Sequence, residues 1–265
     1  MTEVGNRHPH GTPCWVSLLA RSVEATQEFY SHLFGWEFHP GPRALGPNVR
    51  AALGERNVAG IGALPGDRHL PIAWTPYFAA DDADKTAELI RICGGTVGVG
   101  PLDADDAGRV ALASDPSGAV FGVWQARHHP GAEIGERPGG PVWHELVTRD
   151  TALAGHFYSA VFGLETEADV SSDLDHLTLH LAGRPVGGIR GVGRALPRDR
   201  GAHWMTYFEV ADTDVAARRV LELGGSVIRT PRDGAYGRLA TVADPEGAVF
   251  TVIRSRPQPA GAGTR

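Results

Sequence analysis

The chain has 265 residues, of which 42% are hydrophobic, and a net charge of −6. A negative charge without a basic stripe argues against sequence-independent nucleic-acid binding, which requires a cationic surface. No apolar stretch approaches the roughly 20 residues that span a bilayer, and the N-terminus lacks the apolar core of a signal peptide. We therefore expect a cytoplasmic protein with no nucleic-acid and no membrane partner.

The first predicted helix runs from about Ser22 to Phe34 and follows a short strand that contains Trp15. Apolar residues recur every four positions along it, which is typical of a helix with one buried face. Ser22 suits the N-cap because its hydroxyl can accept a hydrogen bond from the first turn, and Gly35 suits the left-handed residue that ends a helix.

A second helix is predicted from about Asp84 to Cys93, ending at Gly94-Gly95. Acidic residues at its start favour the positive end of the helix dipole. Strands follow, and the segment Asp115–Phe121 precedes the last of them. The next stretch, residues 127–140, is rich in Pro, Gly, His and charge and is predicted to be a linker.

The elements then repeat in the same order. Phe29–Gly35 returns 128 positions later as Phe157–Gly163, and Trp15 returns as Trp143. Two further blocks repeat at offsets of 130 and 129, so the chain contains a duplicated domain. We predict domain one at residues 12–126 and domain two at 141–255, and we refer to these ranges as copy one and copy two. The further repeated blocks are Thr75–Phe78 with Met205–Phe208 and Asp115–Phe121 with Asp244–Phe250.

In copy two, the segment Leu174–Ala182 alternates, with leucines on one face and His176, Thr178 and His180 on the other. Strict alternation is typical of a strand with one buried face. Because the leucines must pack on a helix, the two histidines are predicted to face the opposite side of the sheet.

The Phe-Tyr-x-x-x-Phe-Gly helix, the Gly-Gly helix stop and Asp-Pro-x-Gly-Ala-x-Phe before the last strand together resemble the vicinal oxygen chelate superfamily. That group includes glyoxalase I, extradiol dioxygenases and the bleomycin resistance proteins. The segments Trp143–Leu146 and Phe121–Trp124 are similar to those of its tandem two-domain actinobacterial branch. The resemblance implies an α+β fold with two tandem glyoxalase-like domains. Each would contain two βαβββ units that form a curved, cup-like mixed sheet with helices outside.

The resemblance also implies positions for metal ligands: His or Gln on the first strand of a unit and Glu on the last strand. None of the residues at these positions is a strong ligand for a hard or borderline cation. We therefore predict no metal site and no cofactor. The positions are occupied by Trp15, Thr75, Gly122, Trp143, Met205 and Thr251.

Strand alternation predicts which residues share the concave face, and the two copies differ there. Copy two brings a carboxylate and three imidazoles to one face, a combination that can move protons near neutral pH. The predicted catalytic residues are Glu145, His176, His180 and His203. Aromatic and apolar walls suit a flat ligand. The predicted substrate-binding residues are Trp15, Ser17, Tyr77, Trp124, Trp143, Met205 and Tyr207.

Structural roles compete with each of these predictions. Glu145 could cap a helix or form an ion pair with Arg149 or Arg190, and each histidine could be a solvent-exposed or structural side chain. His144, next to Glu145, should face the helices.

Two functions remain open at this point. The first is a metal-independent enzyme that acts by acid–base chemistry in the copy-two cup on a medium-sized organic molecule of secondary metabolism. The second is a binding protein that sequesters such a molecule, as the bleomycin resistance proteins do. A metal-dependent glyoxalase or dioxygenase is disfavoured by the residues at the ligand positions. The partner is a small molecule in either case, and the chain is expected to be a monomer or a homodimer.

Overall fold

The computed structural model describes residues 7–65, 72–132, 137–168, 175–196 and 201–256. None of the helices in these ranges has both the length and the apolar character that crossing a bilayer demands.

Copy one consists of β1 (Pro13–Ala20), α1 (Val23–Phe34), β2 (Glu37–Pro40), β3 (Asn48–Leu53), β4 (Arg56–Ala63), β5 (Trp74–Ala79), α2 (Ala83–Ile92), β6 (Thr96–Ala104), β7 (Gly108–Ser114) and β8 (Val120–Ala126). Copy two consists of β9 (Pro141–Thr148), α3 (Thr151–Phe162), β10 (Glu165–Ala168), β11 (His176–Leu181), β12 (Arg184–Gly191), β13 (His203–Glu209), α4 (Thr213–Glu222), β14 (Ser226–Gly234), β15 (Gly237–Ala243) and β16 (Val249–Ser255).

Each copy supplies all the strands of its own eight-stranded mixed sheet. The order in copy one is β2-β3-β4-β1-β5-β8-β7-β6, and copy two repeats it as β10-β11-β12-β9-β13-β16-β15-β14. Two βαβββ units therefore lie side by side, joined through the antiparallel pairing of their first strands, β1 with β5 and β9 with β13. The predicted fold class is confirmed, and each cup forms within one copy.

The helix ends follow the local sequence signals. The Ser22 hydroxyl accepts a hydrogen bond from the backbone N–H of Ala25, and Gly35 ends α1 with φ of 72°. In copy two, Asp150 caps the start of α3 and Gly163 ends it with φ of 68°. A positive φ strains any residue with a Cβ, which accounts for glycine at both helix ends.

The apolar faces of the two copies pack against each other in a reciprocal arrangement. One core joins α1 and the first half of the copy-one sheet to Phe208, Phe250 and α4 of copy two. The other core joins α2 of copy one to α3 and the first half of the copy-two sheet. Each unit therefore buries its apolar surface against a unit of the other copy. Both concave faces point away from these two cores.

Candidate functional site

The concave face of the copy-two sheet, here called cup two, is lined by Trp143, Glu145, Met205 and Tyr207 of β9 and β13. The leucines of β11 lie in the helix-side core, as predicted, so His176 and His180 are on the concave side. Strand register places Thr178, Gly188, Glu145 and Met205 in one row across the sheet, and His176, Arg190, Val147 and His203 in the next.

Gly188 gives two larger side chains room over the middle of this sheet. A Cβ at Gly188 would lie 3.1 Å from Nε2 of His176 and 3.5 Å from Nε1 of Trp143. A side chain at this position would therefore crowd both rings. The glycine allows the imidazole to approach Glu145 on the neighbouring strand.

Glu145 lies at the centre of a polar cluster. Arg190 donates a hydrogen bond from Nε to its Oε2 at 2.7 Å, and Tyr207 donates from its hydroxyl to the same oxygen at 3.0 Å. His176 Nε2 lies 3.6 Å from the other oxygen, Oε1. Because Glu145 is only 8% exposed, the two hydrogen bonds and the nearby imidazole replace most of the water that would otherwise solvate the carboxylate.

The three polar neighbours of Glu145 determine its protonation state. Burial alone would raise the pKa of Glu145, but His176, Arg190 and Tyr207 outweigh it and the net pKa is lowered. The pKa of Tyr207 is raised, first by burial and then by the charge of Glu145. At neutral pH the cluster therefore contains a carboxylate, a guanidinium and a neutral phenol.

His176 contributes the imidazole of the cluster. Its Nε2 is directed towards Glu145, whereas its Nδ1 is buried and has no hydrogen-bond partner. A buried ring nitrogen without a partner is uncommon in folded proteins and indicates a position that water or a ligand can fill.

The other two predicted catalytic histidines contact different groups. Nε2 of His180 lies 3.5 Å from Oε2 of Glu167 on the outer strand β10. Nδ1 of His203 lies 2.8 Å from the carbonyl oxygen of Gly201 and is hydrogen-bonded to it. His176 and His203 are three strands apart, about 14 Å at the usual strand spacing. Of the four predicted catalytic residues, the structure thus brings Glu145 and His176 together, in one cluster with Arg190 and Tyr207.

Apolar side chains form the remainder of cup two. Met205 packs with Val147 and Leu196, and Tyr207 borders this cluster. Trp143 is partly exposed. The cup therefore combines an apolar wall with one polar cluster, the usual composition of a small-molecule site.

Cup one, the concave face of the copy-one sheet, is lined by the predicted residues Trp15, Ser17, Tyr77 and Trp124. The hydroxyls of Ser17 and Tyr77 are hydrogen-bonded at 2.9 Å. These two residues occupy the positions of Glu145 and Tyr207 in copy two. Both copies therefore have a hydrogen bond between these two positions, but only copy two has a carboxylate there.

The predicted linker contributes a side chain to cup one. The imidazole of His129 packs edge-on against Trp15, with ring centroids 4.6 Å apart, and its carbonyl oxygen accepts a hydrogen bond from Nε1 of Trp124. The backbone N–H of Ala132 donates to the carbonyl of Cys14. Sequence reasoning missed His129 because a Pro- and Gly-rich stretch carries no periodic signal that shows where one side chain points.

The six inherited ligand positions do not fit a divalent cation. At Gly122, where the resemblance implies a glutamate ligand, an added Cβ would fall within the ring of Tyr77. Its copy-two counterpart Thr251 is buried and pairs in register with Tyr207. In the described ranges, no three His, Cys, Asp or Glu residues are close enough to hold a metal ion together. At Gly122 a tyrosine ring therefore occupies the space that a metal-binding glutamate would need.

Comparison with known proteins agrees with this architecture. A family model described as "Glyoxalase-like domain" matches residues 144–253. CFP32 of Mycobacterium tuberculosis (strain CDC 1551 / Oshkosh) is 35% identical over 260 residues, which cover 96% of this chain and 98% of CFP32. The chain belongs to the glyoxalase-like family.

Two other relatives of this glyoxalase-like protein come from Streptomyces. The anthracycline biosynthesis protein DauV of Streptomyces sp. (strain C5) is 37% identical, with 94% of this chain and 95% of DauV covered. The anthracycline biosynthesis protein DnrV of Streptomyces peucetius is also 37% identical, with 97% and 98% covered.

Among solved structures, the Mn(II)-bound glyoxalase from Novosphingobium aromaticivorans has a TM-score of 0.63 at 16% identity, covering 92% of this chain and 83% of the other. The 2,3-dioxygenase LapB from Pseudomonas sp. KL28 has a TM-score of 0.61 at 15% identity, with 95% of both chains covered. At these identities the likeness shows the shared fold alone.

Proposed function

We propose that cup two binds an aromatic organic molecule of secondary metabolism and catalyses an acid–base step on it without a metal ion. The observation that carries the proposal is the buried Glu145 carboxylate, on which Arg190, Tyr207 and His176 converge inside an apolar cup. The names of DauV and DnrV, which align over nearly their whole lengths, support an anthracycline-like aromatic as the ligand class.

In this proposal His176 transfers the proton and Glu145 positions it. Glu145 is a poor proton acceptor because its pKa is lowered, but its carboxylate lies close enough to His176 to orient the imidazole. Histidine is the side chain best suited to gain and lose a proton near neutral pH, and Nδ1 of His176 has no partner in the protein. A substrate C–H, O–H or carbonyl group next to Nδ1 could exchange a proton with it. That His180 and His203 share in this step stays a prediction.

A sequestering role is the second candidate. The Glu145–Arg190 pair neutralises itself, and the apolar residues around Met205 could hold an aromatic ligand without reacting with it. The two candidates predict the same binding site but a different fate for the ligand.

The first experiment measures binding of an anthracycline probe to the full chain through quenching of tryptophan fluorescence. Trp143→Phe is expected to lower the affinity obtained from the quenching titration, because this indole lies in cup two. Trp15→Phe, at the same position of copy one, is the matched control and is expected to leave the affinity unchanged. A loss of affinity in the control alone would place the ligand in cup one and overturn the proposal.

The second experiment tests the chemistry by incubating the chain with anthracycline precursors and analysing the products by mass spectrometry. Replacing His176 with Asn should lower kcat about 100-fold or more, the usual contribution of a general acid–base group. Glu145→Gln should lower kcat with little change in KM, since the imidazole loses the carboxylate that orients it. Recovery of every bound compound unchanged would instead support sequestration, and an unaltered kcat in Glu145→Gln would refute the positioning role.

A further inference from the structure

Cup one contains a positive side chain where cup two has a neutral one. Arg50 lies in register with Gly60, and Gly60 with Ser17, so Arg50 occupies the row that holds Thr178, Gly188 and Glu145 in copy two. Its neighbours Val49 and Ala51 pack in the helix-side core, which directs Arg50 to the concave side. The serine at position 17 cannot neutralise it as Glu145 neutralises Arg190. Cup one therefore contains a cation without the carboxylate that its counterpart has.

Two side-chain nitrogens in this cup have no hydrogen-bond partner. Nε of Arg50 and Nε2 of His129 are both buried and unpaired. His129 is only 8% exposed, so water at the surface does not satisfy it. Both residues border the same indole, because His129 packs against Trp15 and the Trp15 ring lies over Gly60, the register partner of Arg50.

The electrostatic relationship between these residues agrees with their placement. The pKa of His129 is lowered to about 4, first by burial and second by the positive charge of Arg50. A buried donor that lacks an acceptor destabilises the fold, and this applies to Nε of the partly buried Arg50. An acceptor that carried negative charge would satisfy both groups at once.

We propose that cup one is a second binding site, which holds a small oxyanion such as a carboxylate between Arg50 Nε and His129 Nε2. Guanidinium and imidazole N–H groups are strong donors to such oxygens. The site is separate from the proposed function in cup two, since Glu145, His176 and Tyr207 take no part in it.

The test is a titration of the full chain with sodium acetate and, separately, sodium phosphate, against sodium chloride at matched ionic strength. The imidazole signal of His129 is followed by NMR and assigned by its loss in His129→Asn. We expect a saturable shift and a rise in the pKa of His129 with at least one oxyanion. The acetate and phosphate arms distinguish a carboxylate from a phosphate ligand.

Two variants make the result specific. Arg50→Gln removes the charge and should weaken the apparent affinity by about tenfold or more, the effect of losing one charge-assisted hydrogen bond. Glu145→Gln alters cup two alone and should leave the titration unchanged. A response equal to that in chloride, or one that persists in Arg50→Gln, would overturn the site.

Discussion

The phenol of Tyr30 in copy one donates a hydrogen bond of 3.1 Å to Oδ2 of Asp244 in copy two, 214 residues later in the chain. The repeat makes the same contact in reverse, because Tyr158 donates to Oδ2 of Asp115 at 3.3 Å. The tyrosine of the Phe-Tyr-x-x-x-Phe-Gly helix therefore contacts the aspartate of the Asp-Pro-x-Gly turn across the interface. The two repeated sequence motifs therefore contact each other across the interface between the copies, and this contact occurs twice.

The first prediction concerns this contact. Tyr30 also accepts a hydrogen bond from Nε1 of Trp74, so Tyr30→Phe leaves two buried polar groups unpaired. Leaving such groups unsatisfied costs about 1–3 kcal/mol each, and we expect a loss of that order in the free energy of unfolding measured in urea. Tyr236→Phe, at a side chain that is 55% exposed, is the control and should change stability little. Equal stability of the two variants would show that the contact is not stabilising.

The second prediction concerns pH. His144 is fully buried and bonded to Thr206, and burial lowers the pKa of His144 to about 4. Between pH 6.5 and 5 the unfolded chain gains a proton at this residue and the folded chain does not, so stability falls as the pH falls. The slope from one such group is about 1.4 kcal/mol per pH unit.

His144→Val, which copies Val16 of copy one, should reduce this pH dependence. Comparing unfolding free energies of the variant and the parent at pH 6.5 and pH 5 isolates the contribution of His144 from those of other groups. An identical slope in both proteins would mean that His144 takes up a proton while folded.

The third prediction concerns Gly122. Gly122→Ala places a methyl group in the ring of Tyr77 and should destabilise copy one by about 1–3 kcal/mol through overpacking. Adding Tyr77→Ala to this variant should recover part of the loss, because the clash is removed, although the change opens a cavity. If Gly122→Ala alone is as stable as the parent in thermal denaturation, the ring has another position available and the argument fails.

The fourth prediction concerns the start of α1. The carboxylate of Glu246 accepts hydrogen bonds from the backbone N–H groups of Arg21 at 2.7 Å and Ser22 at 2.8 Å. Glu246→Ala should therefore lower the free energy of unfolding by about 1 kcal/mol, comparable to the loss of a helix cap. Ser117→Ala, at the equivalent turn of copy one, is the matched control and should be nearly neutral. A larger loss in the control than in Glu246→Ala would contradict this assignment.

Much of the fold was readable from the sequence because its signals are local. Ser22 and Gly35 mark the ends of α1 through backbone geometry that involves only their immediate neighbours. The alternation around Leu177 and Leu179 correctly assigned one face of β11 to the core. His144 likewise lies on the helix side, as its position next to Glu145 predicts.

The candidate site was less predictable because its contacts depend on spacing across strands. Arg190 and Glu145 are separated by 45 residues, and sequence could name Arg190 only as one of two possible partners. Alternation gave the correct face for His180 but not its neighbour Glu167 on an outer strand. No sequence rule indicated that His129, in a stretch without periodicity, would reach cup one.

The reciprocal core sets a limit on how the gene could be divided. Because α1 packs against Phe208 and Phe250 from the other half, a chain cut between Ala132 and Arg137 would expose an apolar face on each fragment. Two fragments produced together should reassociate non-covalently, whereas either one alone should self-associate or aggregate. The ancestral single-length protein, before duplication, would on the same reasoning have existed as a pair of identical subunits.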